Sequence, residues 1–206
     1  MQIDPSTFSR RDGYAFLISA IVPRPIAFVT TMDAAGRTNA APFSYFTGVA
    51  SSPPTLLICS GRRRDGLKDT QRNIIETGEF VVSIVVEEIM DAVIIAASDH
   101  PQGVSEIDAA KLTTAPSVKV RAPRITESPV NLECRLAHVF EAAGTAIIVG
   151  EIVWIHVRDD LVMESAHGGP PLIDASRLKP IGRLGGDAYA KLGEIFDRPL
   201  SRPTSG

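Results

Sequence analysis

The feature that most constrains this chain is its punctuation. Short runs of strand-forming residues are cut off by Pro, Gly, Asn or Asp before they reach helical length. Ile26–Thr31, Thr55–Ser60 and Glu79–Val86 read as strands of this kind, and two longer runs, Val130–Phe140 and Thr145–Val157, are joined at Ala142-Ala143-Gly144. Asp33-Ala34-Ala35-Gly36-Arg37 is a hairpin-like turn, with Gly36 available for positive φ. A second run, Thr38–Ala50, stops at Ser51-Ser52-Pro53-Pro54, so the whole first third reads as β. Helical spacing is confined to a few places. In Leu67–Thr77, Leu67, Ile74 and Ile75 fall at i, i+7 and i+8 and Gly78 is positioned to stop the helix; Ile89–Ala97 and Asp108–Leu112 are the other candidates. Residues 99–129 are loop-rich, and beyond Asp159 the chain is loop-like, with Gly168-Gly169-Pro170-Pro171, Pro180 and Gly185-Gly186. Many strands with few helices predict a mainly β fold with α excursions, a closed or partly closed β-barrel. With no composition break, residues 1–206 are expected to form one domain with a C-terminal extension from about 159.

Composition excludes several classes. At 44% hydrophobic and 22% charged, 206 residues can bury a sizeable core. The balance of 21 basic against 24 acidic side chains, −3 overall, argues against a general nucleic-acid binder. The two cysteines, Cys59 and Cys134, lie in apolar runs and read as buried free thiols in a reducing compartment. No apolar stretch is long enough to span a bilayer, and the N-terminus Met-Gln-Ile-Asp-Pro-Ser lacks the pattern of a secretory signal, so a soluble, cytoplasmic protein without a membrane partner is expected. The dinucleotide glycine fingerprint, the phosphate loop, His-Glu-x-x-His, Cys-x-x-Cys and Gly-x-Ser-x-Gly are all missing. The histidines, His100, His138, His156 and His167, are scattered, and His138 and His156 sit in strand-like runs as structural residues. No metal site and no side-chain nucleophile is expected.

Two stretches carry chemistry. In Leu56–Asn73 a strand ends at Ser60, a basic loop with Arg62, Arg63 and Arg64 follows, and a helix starts near Lys68. A helix N-terminus offers N–H groups and a partial positive charge, a natural seat for phosphate. Lys68 would reinforce it, and Ser60 and Thr70 would donate hydroxyl hydrogen bonds. The competing reading is a solvated basic loop with Asp65 or Asp69 capping the helix. In Gly36–Phe46, small Ala40 and Ala41 leave backbone amides open to close approach, and Pro42 interrupts ladder pairing, so an edge with alternating donors and acceptors would suit a flat heterocycle. The competing reading there is an edge strand with a bulge at Pro42 and aromatics facing the core.

Pro23-Arg24-Pro25-Ile26-Ala27-Phe28-Val29-Thr30-Thr31, followed by Asn39-Ala40-Ala41-Pro42-Phe43-Ser44-Tyr45-Phe46, resembles the flavin reductase-like, FMN-binding split-barrel family. Lys68-Asp69-Thr70-x-x-Asn73-Ile74, Thr77-Gly78-Glu79-Phe80-Val81-Val82, Pro123-Arg124-Ile125, Ser128-Pro129-Val130-x-Leu132-Glu133-Cys134 and Gly150-Glu151-Ile152-Val153 are similar to its later signatures. The ending Arg183-Leu184-Gly185-Gly186-Asp187-Ala188-Tyr189 is similar to its flavoredoxin-like branch. The resemblance implies a Greek-key split barrel and a homodimer with FMN near the subunit interface. It places the flavin ring against Asn39, Ala40, Ala41, Pro42 and Ser44, and the phosphate around Lys68, Asp69 and Thr70 with help from Ser60. Asp69 is expected to cap the helix and serve the ligand through its amide. Arg24, held extended between two prolines, is assigned to the ligand, with pairing to a carboxylate as the alternative. Arg183 and Tyr189 either close the pocket or pack the dimer, and His167 is either a substrate-side group or an exposed loop residue. The implied activity is an NAD(P)H-dependent flavin reductase with no catalytic side chain of its own; the alternatives are an FMN-containing electron-transfer protein that docks to a redox partner, or a flavin binder without turnover.

Overall fold

The structure, a computed structural model, describes residues 1–62, 66–98, 105–165 and 168–198. In chain order its elements are helix α1 (Arg10–Ala20), strands β1 (Arg24–Pro25), β2 (Ala27–Met32), β3 (Thr38–Phe43), β4 (Phe46–Ser51) and β5 (Pro54–Gly61), helix α2 (Asp69–Thr77), strand β6 (Glu79–Ile84), helices α3 (Met90–Ala96) and α4 (Glu106–Ala109), strands β7 (Thr114–Ala115), β8 (Arg124–Ile125), β9 (Val130–Ala142), β10 (Thr145–Val157), β11 (Val162–Met163) and β12 (Leu172–Ile173), helix α5 (Ala175–Leu178), and strands β13 (Ile181–Arg183) and β14 (Tyr189–Lys191).

The main sheet has the order β3-β2-β6-β9-β10-β5-β4 with every pairing antiparallel. Its hairpins form where the turn chemistry permits. Gly36 takes φ +85° between β2 and β3, and Ala143 and Gly144 take φ +49° and +78° between β9 and β10. Gly78 stops α2 in the left-handed region at φ +72°, its N–H donating to the Ile74 carbonyl. The link from β5 to β6 passes over β10 and β9, and it carries α2 onto β2, β3 and β6. The tail returns to the start of the chain, where β1, β13 and β14 form a small separate sheet.

β2 is buried on both faces, and this is why it reads as an unbroken apolar run. Phe28 packs into one cluster with Val85, Val86, Ile89 and Val93 under α3. Ala27 and Val29 face a second cluster with Ile58, Ile74, Phe80 and Ile148 under α2. Burying rings such as Phe28 and Phe80 contributes roughly 1.5–3 kcal/mol each. Gly150 is required here, because a Cβ at that position would sit 2.4 Å from Phe80 Cζ.

The fold is mainly β as expected, and its main sheet is not closed, β3 and β4 being its two unpaired edges. One expectation is corrected. The first third is not all β: α1 precedes β1, started by Ser9, whose side chain accepts from the Asp12 amide while the Asp12 carboxylate accepts from the Ser9 amide.

Candidate flavin site

The site is built where β5 ends, α2 begins and edge strand β3 passes beside them. Lys68 is the N-cap of α2, with extended backbone, and its side chain accepts nothing from the helix. An ammonium has no acceptor to offer, so the positive end of α2 is not masked by its own cap residue. Lys68 Nζ reaches across to 5.6 Å from the Phe43 ring centroid, which joins the helix start to β3. Asp69 does not cap the helix as expected. It is the first helical residue, one position too late for a cap, and its carboxylate pairs with Arg72.

Thr70, buried in the first turn, accepts a hydrogen bond from Asn39 Nδ2 at 2.9 Å. Asn39 Nδ2 also lies 3.5 Å from Thr31 Oγ1, and Asn73 Nδ2 donates to that same hydroxyl at 3.1 Å. The structure brings together Asn39 and Thr70, two of the predicted site residues, and adds Thr31 and Asn73, which were not predicted as site residues. The signal for Asn73 was its spacing, three residues after Thr70 on the same helix face. Ser60 Oγ, next to the last residue of β5, and Gln71 Oε1 and Asn73 Oδ1, in the first two turns of α2, are buried without a hydrogen-bond partner. Such atoms are unusual, because buried polar groups are almost always satisfied.

On β3, Ala40 is buried and Ala41 and Pro42 are half-buried, as is Ser44 just beyond the strand's end. Pro42 pairs in register with Phe28 without a bulge, on an edge strand as its missing N–H demands. Arg24 is the one predicted ligand residue whose guanidinium is committed elsewhere. It is buried, and it donates to the carbonyls of Ile18 at 2.7 Å, Ile21 at 2.8 Å and Leu184 at 2.8 Å, clasping the end of α1 to the tail. Among the described residues no carboxylate pairs with it. Arg183 stacks on Tyr189, 4.3 Å from the ring centroid. Arg62 lies 3.4 Å from Glu141 at the surface. Arg63, Arg64, Asp65, His100 and His167 lie outside the described residues.

The remaining polar chemistry is structural. His156 Nε2 is 2.6 Å from the buried carboxylate of Glu133, which also accepts from the amides of Val118 and Lys119. Burial opposes the charge on Glu133, but the His156 contact and the two amides outweigh it and hold the carboxyl below its ordinary value. Burial pushes both thiols up, Cys134 the more strongly, which disfavours the reactive thiolate. Among the described residues no group of three potential ligands gathers for a metal, and no helix is long and apolar enough to cross a membrane.

The chain belongs to the flavin reductase-like family, whose domain model matches residues 19–179. Solved structures agree. Nitrilotriacetate monooxygenase component B from Bacillus cereus superposes with a TM-score of 0.88 at 38% identity, covering 96% of this chain and 98% of that one. A Pseudomonas fluorescens 2-nitrobenzoate 2-nitroreductase superposes at 0.86 with 31% identity over the whole of both chains. A flavin reductase from Shewanella frigidimarina with a split barrel domain superposes at 0.82 with 23% identity, covering 95% of this chain and 96% of that one, and it shows the fold. The architecture is thus that of the split barrel, with β3 and β4 as the edges of its main sheet.

Proposed function

We propose that this protein is an FMN-binding oxidoreductase that takes hydride from NAD(P)H. The observation that carries the reading is the set of unpartnered buried atoms, Ser60 Oγ, Gln71 Oε1 and Asn73 Oδ1, beside a helix start whose N-cap is a lysine. These residues fit a phosphorylated polyol: the Ser60 hydroxyl, the first-turn amides and Lys68 suit the phosphate, and the amide oxygens suit hydroxyl donors. Asn39 and Thr70 fix the edge of β3 against α2, so that Ala40–Ser44 lies ready for a flat ring. When bound, the flavin supplies the hydride acceptor at N5, and no general acid or base is asked of the chain. The protein's part is to hold the phosphate, orient the ring and keep one face accessible.

Two chains are proposed to assemble. α1 contributes no buried residue and exposes Tyr14, Phe16 and Leu17. A helix of that length is marginal in water without a packed face, so a second copy covering it accounts for its presence. Light scattering is expected to give a dimer.

The test is oxidation of NADH or NADPH by purified protein with added FMN. Turnover with either nicotinamide supports the reading. Tight FMN binding without oxidation of either favours an electron carrier that meets a redox partner, and no flavin binding overturns both.

A further inference from the structure

At the other end of the Asn39–Tyr45 stretch from Thr70, the chain assembles a second concentration of positive charge that the flavin site does not use. Arg24 on β1 stands directly opposite Arg183 on β13 in an antiparallel register, and Arg183 in turn stands opposite Tyr189 on β14. Residues paired in this way project to one face of a sheet, and like charges placed there destabilise it. Both guanidiniums turn to one short turn of the tail, Arg24 donating to the Leu184 carbonyl and Arg183 to the Gly186 carbonyl at 2.5 Å. Among the described residues no carboxylate pairs with Arg24, and its Nε is buried without a partner. The carbonyls at the end of α1 answer Arg24 with about half an elementary charge. Arg183 has only Asp187, 4.0 Å away and fully exposed. Two cations therefore share one face of this sheet, Arg24 answered only by carbonyls and Arg183 by one exposed carboxylate, and β1, which carries Arg24, lies against β4, which begins one residue after Tyr45. A buried cation of this kind is costly unless an anion answers it.

We propose that Arg24 and Arg183 form a second oxyanion seat, which takes the phosphate or carboxylate of the small molecule that exchanges electrons with the flavin. Arg24 is already fixed by three carbonyls, so it supplies a pre-oriented charge. Arg183 is one-quarter exposed and supplies the reachable donors, with Tyr189 holding its plane. The position follows from the fold: β1 packs beside β4, and Tyr45 links β4 to the proposed ring-binding stretch. The identity of the occupant as an electron-exchange partner rests on the flavin reading, whereas the anion seat itself does not.

Calorimetric titration of the purified protein, saturated with FMN, tests the seat with three probes: inorganic pyrophosphate, benzoate and neutral benzamide. At least one of the two anions is expected to bind, benzamide to bind far more weakly than benzoate, and Arg183→Gln to weaken the anion about tenfold or more, since charge-assisted hydrogen bonds are the stronger kind. Arg183→Lys, which keeps the charge without the fork, is expected to fall between. A preference for pyrophosphate assigns the seat to a dinucleotide, and a preference for benzoate assigns it to an organic acid. FMN affinity is expected to be unchanged in Arg183→Gln, which also reports that the variant is folded. Failure of both anions to bind, equal binding by the wild type and Arg183→Gln, or equal binding of benzoate and benzamide overturns the proposal. If FMN itself does not bind, the same titrations on the flavin-free protein still decide the seat, and only the flavin reading falls.

Discussion

Two buried polar clusters in this molecule differ in how far they are satisfied. Around Glu133, one carboxylate accepts from Val118 N at 2.7 Å, Lys119 N at 2.6 Å and His156 at 2.6 Å, and it ties a loop to strands β9 and β10. Around the start of α2, Asn39, Thr31, Thr70 and Asn73 bond to one another, yet Ser60, Gln71 and Asn73 each keep an unpartnered atom. A complete cluster has done its work on folding. An incomplete one carries a desolvation cost that a ligand can remove. The contrast teaches that burial alone does not mark a functional site, and that the count of unmet donors and acceptors does.

The largest effect that could break this contrast lies on the structural side. Glu133→Ala strips two amides and a histidine of their shared acceptor, and it is expected to cost about 3–5 kcal/mol in urea unfolding while leaving the flavin affinity of the folded fraction unchanged. A loss of stability below ~1 kcal/mol would show that the cluster is not a fold anchor. The same carboxylate sets a pH dependence. Its folded value is depressed, so its contribution is present in full above the unfolded value near 4.5 and is lost as pH falls through the lower folded value. Glu133→Gln is expected to flatten that acid limb, and an unchanged acid midpoint would assign the limb to other groups.

Next in size is an effect on the ligand side. Lys68→Ala combined with Thr70→Ala is expected to weaken FMN about a hundredfold, from two lost charge-assisted contacts, with less than ~1 kcal/mol lost from the unfolding free energy. Affinity within threefold of the wild type, roughly 0.6 kcal/mol, would place the phosphate elsewhere.

The sequence made one of these clusters far more legible than the other. The start of α2 was visible because its signals are local: a strand end at Ser60, basic residues, a helical spacing and Gly78 as a stop all lie within twenty residues or so of each other. Glu133 was hidden in the strand-like run Asn-Leu-Glu-Cys-Arg-Leu. Its partners come from residues 118, 119 and 156, and the register shift between Ile152 and Trp154 that accompanies them cannot be read from spacing. Helix α1 escaped although Tyr14, Leu17, Ile18 and Ile21 fall at i, i+3, i+4 and i+7 and the pairing of Ser9 with Asp12 starts it. The partners of Arg24 were hidden because two flanking prolines reveal an extended backbone but not where a long side chain goes. The tail that receives it lies 160 residues downstream.

The smallest effect is also the sharpest, because its two readouts move in opposite directions. Ser60 Oγ is buried with no partner, so it contributes to the flavin-free fold only a desolvation cost. Ser60→Ala removes the hydroxyl and keeps the volume of the side chain nearly constant. Stability without flavin is expected to stay level or rise by up to ~1 kcal/mol, while flavin affinity falls several-fold. A structural serine behaves the other way, its loss lowering stability and leaving affinity alone. A drop in the unfolding midpoint of flavin-free Ser60→Ala, with FMN bound as tightly as before, would move Ser60 into the same class as Glu133 and erase the distinction between the two clusters at this position.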